Sequence, residues 1–528
     1  MSYTSITFLV FLIFTGAFYF LLPKKFRWGV LLAGSYIFYY LNSGWLAVFL
    51  AITTLSIYFS GIAMARINDN FEAKKGELTK EDRKKQKARG EKQKKTIVIV
   101  VLLINFGILF LLKYFNFFSD GVNVIFTGLH LRAELRTFNW VMPLGISYYT
   151  LQSVSYLIDI YRDKIKAERN LGKLALFVSF FPQIVEGPIG RYDKLAETLF
   201  EGHSFDYDRF RLGGQLMVWG FFKKLVIADR AAMLVNTVFS HYSNYSGLSV
   251  AIAVLLFTLQ IYADFSGCMD IVTGVAQIFG VTLETNFKRP FFSKSVAEFW
   301  RRWHITLGAW LRDYVFYSIS MSKPYRNFSK NARDKLNNYF ATLIPTACAL
   351  FFVWVGMGIW HGASLKYVLY GFYYYIFMVL GEAFKPFSGK LTGKFKINTE
   401  SKLFHLYQML RTFVVVYFGM LIFRSHNIVA AWELFKSIFI GFSIKALWNG
   451  SLLNLGLHGS DLILLFGTAV LLFIVGSLQE NGYKIRELIA QRALVVRWSI
   501  YLAAIFAVII FGIYGKGYNV GTFIYGNF

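Results

Sequence analysis

Cysteine, proline and acidic residues are all scarce in this chain of 528 residues. The two cysteines, Cys268 and Cys348, lie in apolar stretches and build neither a disulfide framework nor a metal-binding cluster. Eight prolines exclude a long proline-rich linker. Only 16% of the residues are charged and 56% are hydrophobic, whereas a soluble domain carries roughly 25% charged residues. These proportions exclude disordered, collagen-like and disulfide-stabilised proteins and predict a polytopic membrane protein.

Apolar runs long enough to cross a bilayer as helices recur along the whole sequence. The predicted spans are 5–22, 28–41, 45–65, 96–118, 140–161, 213–238, 248–263, 340–360, 364–383, 404–424, 461–478 and 495–514. The first residues, MSYTS, lack the basic segment of a cleaved signal peptide, so the first run is predicted to be a retained span. The fold class is therefore an all-α polytopic membrane protein with roughly 10–12 transmembrane helices.

The net charge of +26 is concentrated between the predicted spans. Residues 66–95 form the most polar segment, which indicates a solvated helix or a mobile loop on the cytoplasmic side. The same count of spans places the basic segments RDKIKAERN, KPYRNFSKNARDK, KPFSGKLTGKFK and NGYKIRELIAQR in the cytoplasm and the N-terminus outside. The basic excess thus serves orientation and contact with lipid headgroups, and no nucleic-acid partner is expected.

Two regions are too irregular or too polar for simple spans. Residues 172–190 contain two prolines and Glu186, and residues 264–315 run from DFSG to LRDY with many charges. Such backbone is tolerated at membrane depth only where protein buries it or where it lines a wet cavity. We expect both regions to re-enter the membrane and to build a site. The absence of an internal repeat argues against a transporter.

His361 stands out among the eight histidines because it follows about twenty largely apolar residues, in GIWHGAS. An ionisable side chain at such depth points to function, and a neutral imidazole can accept and return a proton. A buried histidine that only hydrogen-bonds to a neighbouring helix is the structural alternative.

His304 lies in FWRRWHITLGAWLRDY, surrounded by basic residues that include Arg301, Arg302 and Arg312. On a continuous helix, Trp303 and Trp310 would share one face. The functional interpretation is a cytoplasmic mouth that attracts phosphate groups. The alternative is an amphipathic helix lying on anionic lipid.

Asp264 in QIYADFSGCMD, together with Asp270, Ser266 and Gly267, is predicted to break a helix and to hold a neighbouring His or Arg by hydrogen bonds. A structural role is favoured for it and for Glu186. The sequence contains no phosphate-binding loop, zinc spacing or serine elbow, and the histidines are too dispersed to propose a metal site.

Five motifs resemble, in the same order, those of bacterial membrane-bound O-acyltransferases (the MBOAT family), above all the membrane subunit of alginate and peptidoglycan O-acetylation systems. They are PLGISYYTLQSVSYLIDIYR (143–162), FFPQIVEGPIGRY (180–192), LQIYADFSGCMDI (259–271), NFKRPFFSKSVAEFWRRWHITLGAWLRDYV (286–315) and GIWHGAS (358–364). The resemblance covers most of the chain. It departs after LRDY, where relatives often have a PLGG-type turn and this chain reads VFYSISMSKPYRN.

The resemblance implies a single membrane domain over 1–528, with a catalytic core at 140–380, in which helices surround a central funnel joined to the cytoplasm by a tunnel. It implies that His361 is catalytic, that His304 is the second functional histidine, and that Arg301, Arg302 and Arg312 bind the donor, with Asp264 and Trp360 in support. His361 is expected toward the outer funnel and the His304 region inside.

The implied function is transfer of an acetyl group from cytoplasmic acetyl-CoA to an extracytoplasmic polysaccharide in the bacterial cell membrane. No bound cofactor is expected. An SGNH-type extracytoplasmic protein is the expected partner, and alginate, peptidoglycan or a similar glycan the final acceptor. His361 acts either as a general base or as a carrier of the acyl group. The alternatives are D-alanyl transfer from a carrier protein to teichoic acid, a glycan or lipid flippase, and a structural scaffold.

Overall fold

The structure is a computed structural model that describes residues 1–131, 133–514 and 523–524. In these residues the secondary structure is helical, without strands, and one isolated antiparallel bridge joins Phe287 to Trp303. The all-α prediction is confirmed. Seven helical segments in this part of the chain are long and apolar enough to cross a membrane, and a bent pair brings the number to eight. Fewer segments than predicted qualify, partly because Ile6–Leu21 and Ile146–Tyr161 have only 16 residues each.

The chain folds as two compact units, and the first comprises Met1–Gly214 and Val272–Glu284. Its helices are α1 (Ile6–Leu21), α2 (Lys24–Ser43), α3 (Ala47–Lys74), α4 (Lys80–Leu109), α5 (Phe115–Gly128), α6 (Ile146–Tyr161), α7 (Leu171–Ser179) and α8 (Tyr192–Leu199). Within this unit α3 packs against α4 and α6, and α2 packs against α7.

The irregular segment after α7 is buried, as its composition predicts. From Phe180 to Gly190 the backbone makes turns instead of a helix, and Glu186 is fully buried. Gln152 of α6 binds the backbone at both ends of this segment, because its side chain donates to the carbonyl of Phe177 at the end of α7 (2.5 Å) and accepts from the amide of Gly190 (3.2 Å). Protein groups thus replace the water that such turns need.

The charged segment 66–95 is mainly helical. Of the two predicted alternatives, a solvated helix or a mobile loop, the structure shows the helix. α3 continues to Lys74 and α4 begins at Lys80, so only a short turn separates two charged helix ends. The buried Lys94 anchors α4 through an ion pair with Asp163 (3.2 Å). Most of the other lysines in the segment are exposed.

The second unit comprises Gln215–Ile271 and Thr285–Phe528. Two of the three boundaries between the units fall inside α9 (Tyr207–Phe221) and α11 (Gly247–Ile278), and the third follows Glu284. The remaining helices are α10 (Asp229–Ser240), α12 (Val296–Arg302), α13 (Ile305–Trp310), α14 (Tyr317–Ser320), α15 (Lys323–Lys335), α16 (Asn338–His361), α17 (Leu365–Ala383), α18 (Lys385–Lys394), α19 (Lys402–Arg424), α20 (Ile428–Phe439), α21 (Gly459–Glu480), α22 (Ile485–Ala490) and α23 (Leu494–Phe511).

Helices α16, α17 and α19 form the scaffold of this unit's core. α17 packs against both α16 and α19, and the short helix α12 packs against α17 and α19. Helix α11 runs without interruption through Asp264, Ser266 and Gly267, so the predicted helix break is wrong. Lysine side chains bind Asp264 and Ser266, so neither residue has to break the helix to find a partner.

Candidate active site

The turn from α16 into α17 holds His361 at the end of its helix. A Cβ atom on Gly358 would overlap the carbonyl oxygen of Tyr367, and one on Gly362 would lie 2.6 Å from the Tyr367 ring. A larger residue at either position would push α17 away from α16. The two glycines of GIWHG therefore let α17 pack directly against the helix end that carries His361.

The His361 side chain is buried, with 1% of its surface exposed. Its Nδ1 lies 2.7 Å from the carbonyl oxygen of Met357, one turn earlier in α16. Because a carbonyl oxygen only accepts, Nδ1 donates, and in the neutral ring the lone pair is then on Nε2. This tautomer suits a general base or a nucleophile that acts through Nε2.

Aromatic rings surround the His361 imidazole. The distances between ring centroids are 5.1 Å to Trp360, 5.7 Å to Tyr370, 5.4 Å to Phe423 and 6.4 Å to Tyr367. These rings come from α16, α17 and α19 and keep the imidazole away from bulk solvent. Charge that develops there during a reaction interacts more strongly with nearby groups than it would in water.

His304 lies outside any helix, which corrects the predicted continuous helix through Trp303 and Trp310. Helix α12 ends at Arg302, and Trp303 pairs with Phe287 in the isolated bridge. The amide of Lys288 donates to the carbonyl of Arg302 (2.9 Å). His304 then takes a left-handed conformation with φ of 48°, which is uncommon for a residue other than glycine.

Asn286 fixes the orientation of the His304 ring. Its Oδ1 accepts from the backbone amide of Thr306 (3.1 Å), from the Thr306 hydroxyl (3.0 Å) and from Nδ1 of His304 (3.2 Å). The Thr306 amide can only donate, so the oxygen of Asn286 must face it and the amide cannot be flipped. His304 therefore also carries its lone pair on Nε2 when neutral.

The two histidines meet at one tryptophan. The ring of Trp360 lies 5.6 Å from that of His304 and 5.1 Å from that of His361. His304 is as buried as His361, and Phe265 of α11 stacks edge-on against it at 4.8 Å. The two histidines therefore share one site and do not lie in separate regions. Trp303 and Trp310 are buried in protein, which corrects the alternative of an amphipathic helix lying on lipid.

The three candidate donor-binding arginines differ in their surroundings. Arg302 is already held by Glu298 (2.7 Å) and Glu480 (2.9 Å), and Glu480 also binds Arg289 (2.5 Å). The side chain of Arg312 is 60% exposed beside Asp313, and Arg301 is exposed. Arg301 and Arg312 are thus exposed, whereas Arg302 ties α12 to α21.

Asp264 is buried, but its partner is a lysine rather than the predicted His or Arg. Its Oδ1 lies 2.6 Å from Nζ of Lys224, which is also 2.8 Å from Asp229. The preceding Lys223 binds Asp270 (2.6 Å) and the hydroxyl of Ser266 (2.9 Å). Both lysines lie in a buried π-helical turn, Phe222–Ala228, a type of turn that is frequent at functional sites.

Sequence reasoning missed several residues of this neighbourhood. Two adjacent lysines inside the apolar run 213–238 indicate a functional site, because burying a charged residue in a membrane span costs free energy and such a residue is usually retained for function. Asn286 and the rings of Tyr370 and Phe423 carry no such signal, since only the packing brings them to the histidines.

Comparison with known proteins identifies the family of this chain. Residues 163–399 match the family described as MBOAT, membrane-bound O-acyltransferase family. A probable alginate O-acetylase of Pseudomonas syringae pv. tomato is 31% identical over 81% of this chain and 72% of its own length. A peptidoglycan O-acetyltransferase of Helicobacter pylori is 27% identical over 65% of each chain.

A teichoic acid D-alanyltransferase of Bacillus subtilis is 28% identical over 54% of this chain and 70% of its own length. The family predicted from the five motifs is confirmed. The chain belongs to the membrane-bound O-acyltransferase (MBOAT) family and is an integral membrane O-acyltransferase.

Proposed function

We propose that this protein transfers an acetyl group from cytoplasmic acetyl-CoA, across the bacterial cell membrane, for O-acetylation of an extracytoplasmic polysaccharide. The observation that carries the proposal is the buried pair of histidines beside Trp360, each with its Nδ1 bound to an oxygen acceptor. Relatives named for O-acetylation of alginate and peptidoglycan match up to 81% of the chain. The acceptor is accordingly alginate, peptidoglycan or a similar glycan, reached through an SGNH-type partner protein.

In the simpler mechanism, Nε2 of His361 takes the proton of an acceptor hydroxyl while the oxygen attacks the thioester carbonyl. The new C–O bond forms, the C–S bond breaks, and the leaving thiolate of CoA takes up a proton. In the relay mechanism, Nε2 itself attacks the thioester carbonyl, the C–S bond breaks, and CoA leaves as its thiolate. The acceptor hydroxyl then attacks the acetyl group on Nε2, the N–C bond breaks, and the proton of the hydroxyl is taken up by the CoA thiolate. His304 orients the donor in both, and Arg301 and Arg312 contact its phosphates.

The second candidate is D-alanyl transfer, which is favoured by the teichoic acid D-alanyltransferases among the relatives. Those two matches cover 54% and 49% of the chain, less than the 81% covered by the alginate O-acetylase of Pseudomonas syringae. The two functions differ in the donor, and the donor is therefore what the experiment must vary.

Membrane vesicles that contain the protein should consume acetyl-CoA and place its labelled acetyl group in an ester. The measurement is label released by mild alkali from the glycan and partner fraction, with vesicles lacking the protein as control. A carrier protein loaded with D-alanine is offered in parallel. If only the D-alanyl thioester is consumed, the second candidate replaces the first.

We also propose that the N-terminus faces outward and that segment 66–95 faces the cytoplasm, because the basic segments then all lie inside. Labelling of single cysteines tests this topology after Cys348, the exposed native cysteine, is replaced by alanine. A membrane-impermeant maleimide should label Ser243→Cys on intact cells and should label Lys85→Cys only after permeabilisation. Rapid labelling of Lys85→Cys on intact cells would reverse the orientation.

A further inference from the structure

Two buried tryptophans, Trp300 of α12 and Trp354 of α16, lie close to His361. Their rings meet edge to face at 5.1 Å, and they pack against the ring of Tyr374 at 4.8 Å and 5.6 Å respectively. Only 8% of Trp300 and 4% of Trp354 is exposed. A Cβ atom on Gly371 would overlap the carbonyl oxygen of Trp354, so α17 packs directly on α16 at this point and holds the rings in place.

The indole N–H groups of the two tryptophans are buried donors. Within the part of the chain that the structure describes, neither Nε1 atom has a hydrogen-bond partner. A buried donor without a partner costs free energy, and the great majority of such groups in proteins are paired. An indole nitrogen can only donate, so the partner that it requires is an acceptor. Two such donors on touching rings therefore point to a ligand with oxygen acceptors.

The positive-inside rule places Trp354 between the cytoplasm and His361, because the basic helix α15 precedes the start of α16. Trp354 lies two helical turns before His361, which puts the two side chains on one face of α16 and roughly 10 Å apart. Trp300 touches Trp354 and therefore lies at the same depth. One ring separates it from the histidine, since Tyr370 lies 6.3 Å from Trp300 and 5.7 Å from His361. A donor that enters from the cytoplasm would reach the tryptophans before His361.

The pantetheine arm of an acyl thioester carries neutral acceptors at matching distances. Its two amide carbonyl carbons lie roughly 6 and 10 Å from the thioester carbon in an extended arm, at about 3.5 Å for every three bonds. The methylene groups between the amides suit contact with aromatic rings. The thioester oxygen is not the acceptor for Trp354, because the thioester must reach His361, roughly 10 Å further along α16.

We propose that Trp300 and Trp354 donate hydrogen bonds to the amide carbonyls of the donor's pantetheine arm and thereby place the thioester at His361. This inference rests on the proposed function and deepens it, since it assigns residues to the uncharged part of the donor. Arg301, next to Trp300 in α12, is exposed and is proposed to contact the phosphates beyond the arm. CoA and the phosphopantetheine group of a carrier protein share this arm, so the subsite serves either donor.

Three donors that differ in the arm test the subsite: acetyl-CoA, S-acetylpantetheine and S-ethyl thioacetate, which has no amide. The measurement is kcat/KM from release of the free thiol by inside-out membrane vesicles, corrected for vesicles that lack the protein. Trp300→Phe and Trp354→Phe keep an aromatic ring but remove the N–H group. Each should lower kcat/KM about five- to tenfold for acetyl-CoA and S-acetylpantetheine, mainly through KM, and should leave S-ethyl thioacetate unaffected. Trp432→Phe, at an exposed position in α20, is the matched control and should change none of the three values.

An equal loss of kcat/KM for all three donors would mean that the indoles serve packing, including N–H groups that point at neighbouring rings, and would overturn the inference. Unchanged use of acetyl-CoA by both phenylalanine variants would overturn it as well, as would equal use of S-acetylpantetheine and S-ethyl thioacetate by the wild type. If the wild type consumes only the D-alanyl thioester of a carrier protein, the proposed acetyl transfer fails. The same comparison with D-alanyl thioesters of pantetheine and ethanethiol then decides the inference separately.

Discussion

Replacing His361 with alanine should reduce O-acetylation of the glycan to background while the protein still reaches the membrane. A general base contributes roughly 10²–10⁴-fold to a rate, and loss of an acyl-carrying nucleophile would remove turnover altogether. The measurement is alkali-labile acetate per unit of glycan in cells that carry the variant in place of the wild type. The amount of protein in the membrane fraction is determined in the same samples.

The variant His361→Gln separates base chemistry from structure. A glutamine side chain can still donate a hydrogen bond toward the carbonyl of Met357, but it offers no basic nitrogen. If Nε2 of His361 acts as base or nucleophile, the glutamine variant should be as inactive as the alanine variant. Substantial activity of His361→Gln would mean that the histidine serves mainly to hold the end of α16.

His241→Ala is the matched control for both variants. The Nδ1 of His241 also lies near the carbonyl four residues earlier, that of Thr237 at 3.4 Å, but the side chain is exposed. Its replacement should leave ester content unchanged. Normal ester content in cells with His361→Ala, at normal protein level, would remove His361 from the mechanism.

The spans that carry the site are predictable because hydropathy is a property of each local segment. The predicted span 340–360 corresponds to α16 at Asn338–His361, and the predicted span 404–424 corresponds to α19 at Lys402–Arg424. Both helices expose apolar side chains along much of their length, so composition alone defines them. The position of His361 at a helix end follows from the same reasoning.

The conformation around His304 is not predictable in this way. The spacing of Trp303 and Trp310 fits a helix, yet Trp303 pairs with Phe287, sixteen residues earlier in the chain. Tertiary contacts of this kind override local periodicity, and a single sequence does not reveal them. The meeting of His304 and His361 at Trp360 depends on the same packing, so the sequence identifies both residues but not their proximity.

The buried charges of the second unit are visible in the sequence, but a prediction based on mean hydropathy does not detect them. Lys223 and Lys224 interrupt WGFFKKLVIADR, and a window average still classifies the run as a span. Their carboxylate partners lie on α11 and at the start of α10, within the same unit. A charged pair inside a predicted span should therefore prompt a search for acidic residues on other spans.

Lys224→Met should destabilise the protein more than any substitution of a surface lysine. Lys224 and Asp264 have only 2% of their side-chain surface exposed and Asp229 has 9%, and the lysine contacts both carboxylates. Removal of the lysine leaves two buried carboxylates next to each other without a counter-charge. Breaking a buried ion pair by removing one partner costs about 3–5 kcal/mol, because the remaining charge stays buried and unpaired.

The free energy of unfolding is measured by titration with sodium dodecyl sulfate in mixed micelles. Lys85→Met is the matched control, because Lys85 pairs with Glu81 at 2.9 Å while both side chains are more than 70% exposed. An exposed pair one helical turn apart contributes roughly 0.3–0.5 kcal/mol. The two lysine substitutions should therefore differ by several kcal/mol, although each removes one ion-paired lysine.

A compensated variant distinguishes the loss of charge balance from the loss of packing. Lys224→Met combined with Asp229→Asn and Asp264→Asn removes every charge of this group while keeping similar side-chain volumes. Because neutral replacement of a whole buried ion network is often tolerated, the triple variant should regain most of the lost stability. If the triple variant is no more stable than Lys224→Met, packing around the π-helical turn dominates. If Lys224→Met unfolds like the wild type, the buried ion pairs do not stabilise this unit.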